Sequence, residues 1–89
     1  YKLALSWIMP VVEKGYAPAQ HLLAWMYEQG HVVIHNRVLA YMWANIAASD
    51  GLKEAVVLRD HFEKIMSPVK LKEAQKLSLI CVERKFKGC

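Results

Sequence analysis

The chain has 89 residues, 55% of them hydrophobic, and a formal net charge of +4. That length supports one small domain. No run of about 18 uncharged apolar residues occurs that would insert into a membrane, and no secretory leader is legible, so an export signal or an upstream repeat would lie outside this sequence. Bases and acids balance through residue 52, and the whole positive excess falls in residues 53–89. There the signs alternate (Lys53-Glu54, Arg59-Asp60, Glu63-Lys64, Lys72-Glu73, Glu83-Arg84), as on solvated helix faces. A phosphate-binding stripe is more nearly single-signed, so nucleic acid is not an expected partner.

In chain order, residues 2–14 read as a first helix with Leu3, Ala4, Trp7 and Val11 on one stripe. Pro10 should bend it or make it begin again, and Gly15 ends it. Residues 17–29 read as a second helix, with Pro18 in its first turn. Ala19, Leu22, Leu23, Met26 and Tyr27 form its buried face, and Gly30 follows. The connector 31–35 is unusually apolar. Its His31 and His35 have the i, i+4 spacing of a metal pair, but a site needs further ligands, so solvated loop histidines are expected and no metal.

Asn36 caps a third helix over 37–49, packed through Ala40, Trp43, Ala44 and Ala47 and closed by Gly51. A fourth helix over 52–65 turns Ala55, Leu58, Phe62 and Ile65 inward. Ser67 and Pro68 start a fifth over 68–86, with Leu71, Ala74, Leu77, Ile80 and Cys81 inward and lysines outside.

The chain repeats itself at an offset of 36 residues: Leu3, Ala4, Trp7, Gly15, Ala19 and Leu22 return as Leu39, Ala40, Trp43, Gly51, Ala55 and Leu58. Small, aromatic and glycine residues at fixed spacing are what a helix-turn-helix unit needs to pack and turn, and a period in this range means stacked units. The expected fold is all-α: an α/α solenoid of two helix-turn-helix repeats (1–30 and 36–66, joined by 31–35), with a C-terminal capping helix and tail (67–89) in a single domain.

Residues 12–27, with Gly15, Ala19-Gln20 and Leu23-Ala24-Trp25-Met26-Tyr27, and residues 40–51, from Ala40 to Gly51, resemble the Sel-one-like repeat family. That family is a branch of the tetratricopeptide-like solenoids. Arg59-Asp60 and the stretch from Met66 to Gln75 resemble the terminal segment of its bacterial members. The resemblance implies a right-handed superhelix, a structural signature at Ala4, Trp7, Gly15, Ala19, Ala40, Trp43, Gly51 and Ala55, and a role in protein–protein interaction, often in exported proteins. The chain departs from the pattern at Val32, Ile34 and Asn36, where a second glycine, a proline and an aspartate are usual, and Ala24 replaces a glycine.

Solenoids of this kind line their concave groove with the outward faces of the first helix of each repeat. Those are Lys2, Ser6, Met9 and Glu13, then Val38, Met42, Asn45 and Ser49. Met9, Val38 and Met42 would make an adaptable apolar strip. Trp25 lies at the edge of its helix's core stripe, free to meet a neighbouring repeat or a partner. Trp7 and Trp43 read as core.

Cys81 and Cys89 admit two readings. One is a disulfide that ties the tail onto the last helix in an oxidising compartment. The other is a small buried residue and a free tail thiol. No phosphate loop, serine elbow or catalytic acid pair is present, and no cofactor is expected. The expected function is therefore non-catalytic binding of a protein or peptide on the concave face, in a periplasmic or secreted protein, with the cytoplasm as the alternative. The rivals are a β-lactam-binding or hydrolysing enzyme of the cysteine-rich kind, against which the absence of cysteine pairs inside the repeats counts, and a self-assembling repeat protein that oligomerises through the uncapped first helix.

Overall fold

The structure, a computed structural model, describes residues 2–30 and 36–89, with side chains from Ser6 onward in the first helix. The connector 31–35, with His31 and His35, and the side chains of Lys2, Leu3 and Ala4 lie outside the described residues. The described residues fold into five helices: α1 (Lys2–Glu13), α2 (Ala17–Gln29), α3 (Arg37–Ser49), α4 (Lys53–Ile65) and α5 (Pro68–Glu83). These follow the expected spans closely, except that α5 stops at Glu83, three residues short of its expected end. α1 runs through Pro10 without interruption. The proline forfeits one backbone bond, and Ile8 and Val12, buried on either side of it, hold the helix down.

The two repeat turns have the same hydrogen-bond pattern. After α1 the Gly15 N–H donates to the Val12 carbonyl at 3.0 Å and the Tyr16 N–H to Val11 at 3.4 Å. After α3 the Gly51 N–H donates to Ala48 at 3.0 Å and the Leu52 N–H to Ala47 at 3.3 Å. This pair of bonds closes a helix when one residue takes positive φ; Gly15 has φ +86° and Gly51 φ +97°. Asn36 caps α3, its Oδ1 accepting from the Leu39 N–H at 3.1 Å, and Ser67 caps α5 through the Lys70 N–H at 3.3 Å.

The turn after α5 is built in the same way without glycine. The Lys85 N–H donates to Val82 at 3.0 Å and the Phe86 N–H to Cys81 at 2.9 Å, with Lys85 at φ 55°. Superposing the turns in sequence, Lys85 on Gly51, sets Cys81 on Ala47 and Cys89 on Ala55. Those alanines belong to one small buried cluster beside the α3–α4 turn. Cys81 and Cys89 are joined by a disulfide of 2.08 Å with Cα atoms 5.7 Å apart. The likeness ends at Phe86, whose φ of 68° turns the chain away from the path that Tyr16 and Leu52 take at φ −74° and −75°; the disulfide holds the short tail that follows, and the Phe86 ring rests on Gly15.

α3 is the centre of the molecule: α2, α4 and α5 all pack on it, whereas α1 packs chiefly on α2. A helix surrounded in this way must be apolar nearly all round, and α3 buries Ala40, Tyr41, Met42, Trp43, Ala44 and Ile46. Its polar groups are tied to its neighbours. The Tyr41 hydroxyl donates to Glu63 of α4 at 2.9 Å and accepts from Gln75 of α5 at 3.4 Å, and Arg37 pairs with Glu28 of α2 at 3.0 Å.

Four expectations are corrected by this arrangement. Trp7 is 78% exposed, although its repeat counterpart Trp43 is fully buried. The stripe that α1 buries is Ile8 and Val12, about one residue round from the expected one, because among the described residues α1 is flanked mainly by α2. Leu22 is exposed because α2 turns Ala19, Gln20, Leu23 and Ala24 toward its neighbours. Met42, expected in an open groove, is 2% exposed because α5 lies over it, with the Ser78 hydroxyl 3.4 Å from the Met42 carbonyl. Finally, Ile65 and Ile80 point outward, not into the core.

Candidate interaction groove

The expected concave strip does not assemble. Met42 is under α5, and Met9 and Val38 are partly buried and pack against the core. Asn45 is half-buried and its carbonyl accepts from the Ser49 hydroxyl at 2.9 Å. Ser6 is exposed on α1, as is Ser49 on α3, and Lys2 contributes only its described backbone. Ala19, Ala40 and Ala55 are buried.

Trp25 lies in an open apolar groove, whereas Val38 lines a separate concavity edged by Arg37 and Lys70. The groove lies between α2 and α4 and has a volume of about 530 Å³. α2 supplies His21 and Trp25, one turn apart on the same face. α4 supplies Glu54, Val57, Leu58 and His61. Trp25 is 39% exposed and Val57 71%, and no lysine or arginine lines the groove.

The Trp25 indole N–H donates to His21 Nε2 at 3.3 Å, with the two rings edge to face at 6.4 Å between centroids. That bond requires an unprotonated Nε2, so the neutral ring carries its proton on Nδ1. Nδ1 is buried and has no partner among the described residues. Burial pushes the His21 pKa below its ordinary value, partly opposed by the nearby Glu54 carboxylate. With its N–H engaged, Trp25 offers a ligand only its ring. The site is thus a fixed aromatic wall facing an aliphatic one, with a single carboxylate at its edge.

His21, Val57, Leu58, Glu54 and His61 were not expected to line a site. The repeat contains the signal that could have found them. At the 36-residue offset, Trp25 falls on His61, His21 on Val57 and Leu22 on Leu58. The groove is thus lined by residues of α2 and α4 that correspond at this offset, on two helices that both pack on α3. Among the described residues, no group of three or more histidines, cysteines and acids is placed to hold a metal ion, and no helix is long and apolar enough to cross a membrane. No protein-family model matches the chain, and no curated protein matches it closely enough to be counted a relative.

Proposed function

We propose that this chain is a non-catalytic binding module that takes a protein or peptide segment into the groove between α2 and α4. The observation that carries this reading is the exposure of Trp25 and Val57 on facing walls of one apolar groove. Exposed aromatic and aliphatic side chains around a concavity mark interaction sites more often than ordinary surface. The module reads as a short α/α solenoid of the Sel-one-like type. Three turns with one hydrogen-bond pattern, at Gly15, Gly51 and Lys85, support that reading. In that pattern α5 resembles the first helix of a further unit, and the exposed Val69, Leu79 and Ile80 among its outward charges fit a docking helix better than a cap. The disulfide favours an oxidising compartment, the periplasm or the exterior.

The test is a selection of displayed peptides against the whole chain, followed by affinity measurement on variants. Trp25→Ala and Val57→Ser should each weaken a selected peptide about tenfold or more while the melting temperature stays within a few degrees. Unchanged affinity in both variants, with loss on substituting Ser6 or Asn45, would return the site to the α1–α3 face.

A further inference from the structure

The outward face of α5 has the chemistry that the α2–α4 groove lacks. At about 100° per residue, Val69, Lys72, Lys76, Leu79 and Ile80 fall within one face, directly opposite the buried Ala74, Ser78 and Cys81. All five are exposed. A helix whose outer side met only water would not concentrate three large aliphatic residues there. Two lysines sit between the aliphatic residues, and Glu83 closes the C-terminal end of the face. The groove has Trp25, Val57 and Leu58 with the carboxylate of Glu54, and no lysine or arginine to repel a basic helix, in a chain that is otherwise net positive.

We propose that the occupant of the groove is a second copy of this chain, which inserts the Val69–Ile80 face of its α5 between α2 and α4 of its neighbour. This rests on the reading of the groove as a binding site. The aliphatic residues would pack on the Trp25 ring and Val57, and Lys72 or Lys76 would meet Glu54, with the Trp25 face also open to a cation. The two surfaces are different, so the contact is heterologous: a pair of copies keeps one free groove and one free α5 between them, and association continues head to tail without stopping at a closed dimer. One helix in one groove is a small interface, so the contact is weak, with a dissociation constant of roughly tens to hundreds of micromolar.

Sedimentation of the intact, oxidised chain tests this over roughly 10 μM to 1 mM at low salt. The expected result is a weight-average mass that climbs past the 10.2 kDa monomer without a dimer plateau. Glu54→Lys should weaken association about five- to tenfold, and so should Lys72→Glu with Lys76→Glu. The chain carrying all three changes should recover association to within about threefold of the original. These positions are exposed, so circular dichroism should show each variant folded. A chain that stays monomeric to the highest concentration overturns the proposal, and so does association that ignores the charge changes or fails to recover in the combined variant. If the monomer still binds a selected peptide that Trp25→Ala abolishes, the groove stands and only its occupant is wrong. If neither occurs, the groove reading fails with it.

Discussion

Trp7 and Trp43 are the same residue at the same position of the repeat, yet they have opposite fates. Trp43 is enclosed and Trp7 stands in solvent. Trp43→Ala should therefore cost about 3–5 kcal/mol, and Trp7→Ala no more than about 0.5 kcal/mol. Chemical denaturation of both variants checks this, and equal losses would contradict the placement of α1. The glycines separate in a similar way. Gly51 has positive φ and open space where a Cβ would stand, so Gly51→Val should cost about 1–3 kcal/mol from backbone strain. A Cβ on Gly15 would also meet the Phe86 ring at 3.0 Å. Gly15→Ala should thus cost more than Gly51→Ala, and part of its cost should vanish in a Phe86→Ala background, a coupling that a double-mutant cycle measures.

His21 adds a pH dependence at the same scale. The unfolded imidazole binds its proton near 6.5, and burial makes the folded ring bind it less readily. The unfolded state then holds more protons as pH falls below 6.5, so stability declines until the folded ring also protonates, and levels off beyond that. Protonation also removes the acceptor of the Trp25 N–H. The ring-proton resonance of His21 should titrate with a midpoint below 6.5, and Glu54→Gln should move the midpoint lower still. A midpoint above 6.5 would show that the ring is not buried against α4.

At the scale of elements, the helices were legible because their signals are local: Gly15 and Gly51 end helices, and Asn36 and Ser67 start them. What was not legible was which side of each helix would find a neighbour. The stripe carrying Trp7 has a helical period, but the period does not say that α1 would pack chiefly on one helix. The outward side of α3 reads as a groove only if α5 stays off it, and α5 instead packs there over Met42. Such facts depend on contacts between distant segments. The final turn shows the same division. Its disulfide follows a choice that the two cysteines left open, but the hydrogen bonds it shares with the α3–α4 turn emerge only from the structure, because Lys85 stands where glycine would signal them. The closed loop is short, so Cys89→Ala should cost about 2–3 kcal/mol, lowering the melting temperature by roughly 10–20 °C for a chain of this size. Calorimetry with and without reductant checks that figure; an unchanged transition would mean that the tail is not holding Phe86 on Gly15.

For the whole molecule, the repeat matters more than any one motif. It places Trp25 and His61, and His21 and Val57, on corresponding sides of two helices, and α3 holds those helices so that the sides face across a groove. Trp25 was the only member visible from its own sequence context, because an aromatic at the edge of a core stripe is unusual, whereas a valine or a histidine there is not. A partner should bind along α2 and α4 and not along α1 and α3. The measurement that tests it most directly is an amide chemical-shift map of the isotope-labelled chain titrated with a selected peptide. Shifts should cluster on His21, Trp25, Glu54, Val57 and His61. Shifts clustered on Ser6, Asn45 and Ser49, with the groove silent, would contradict it.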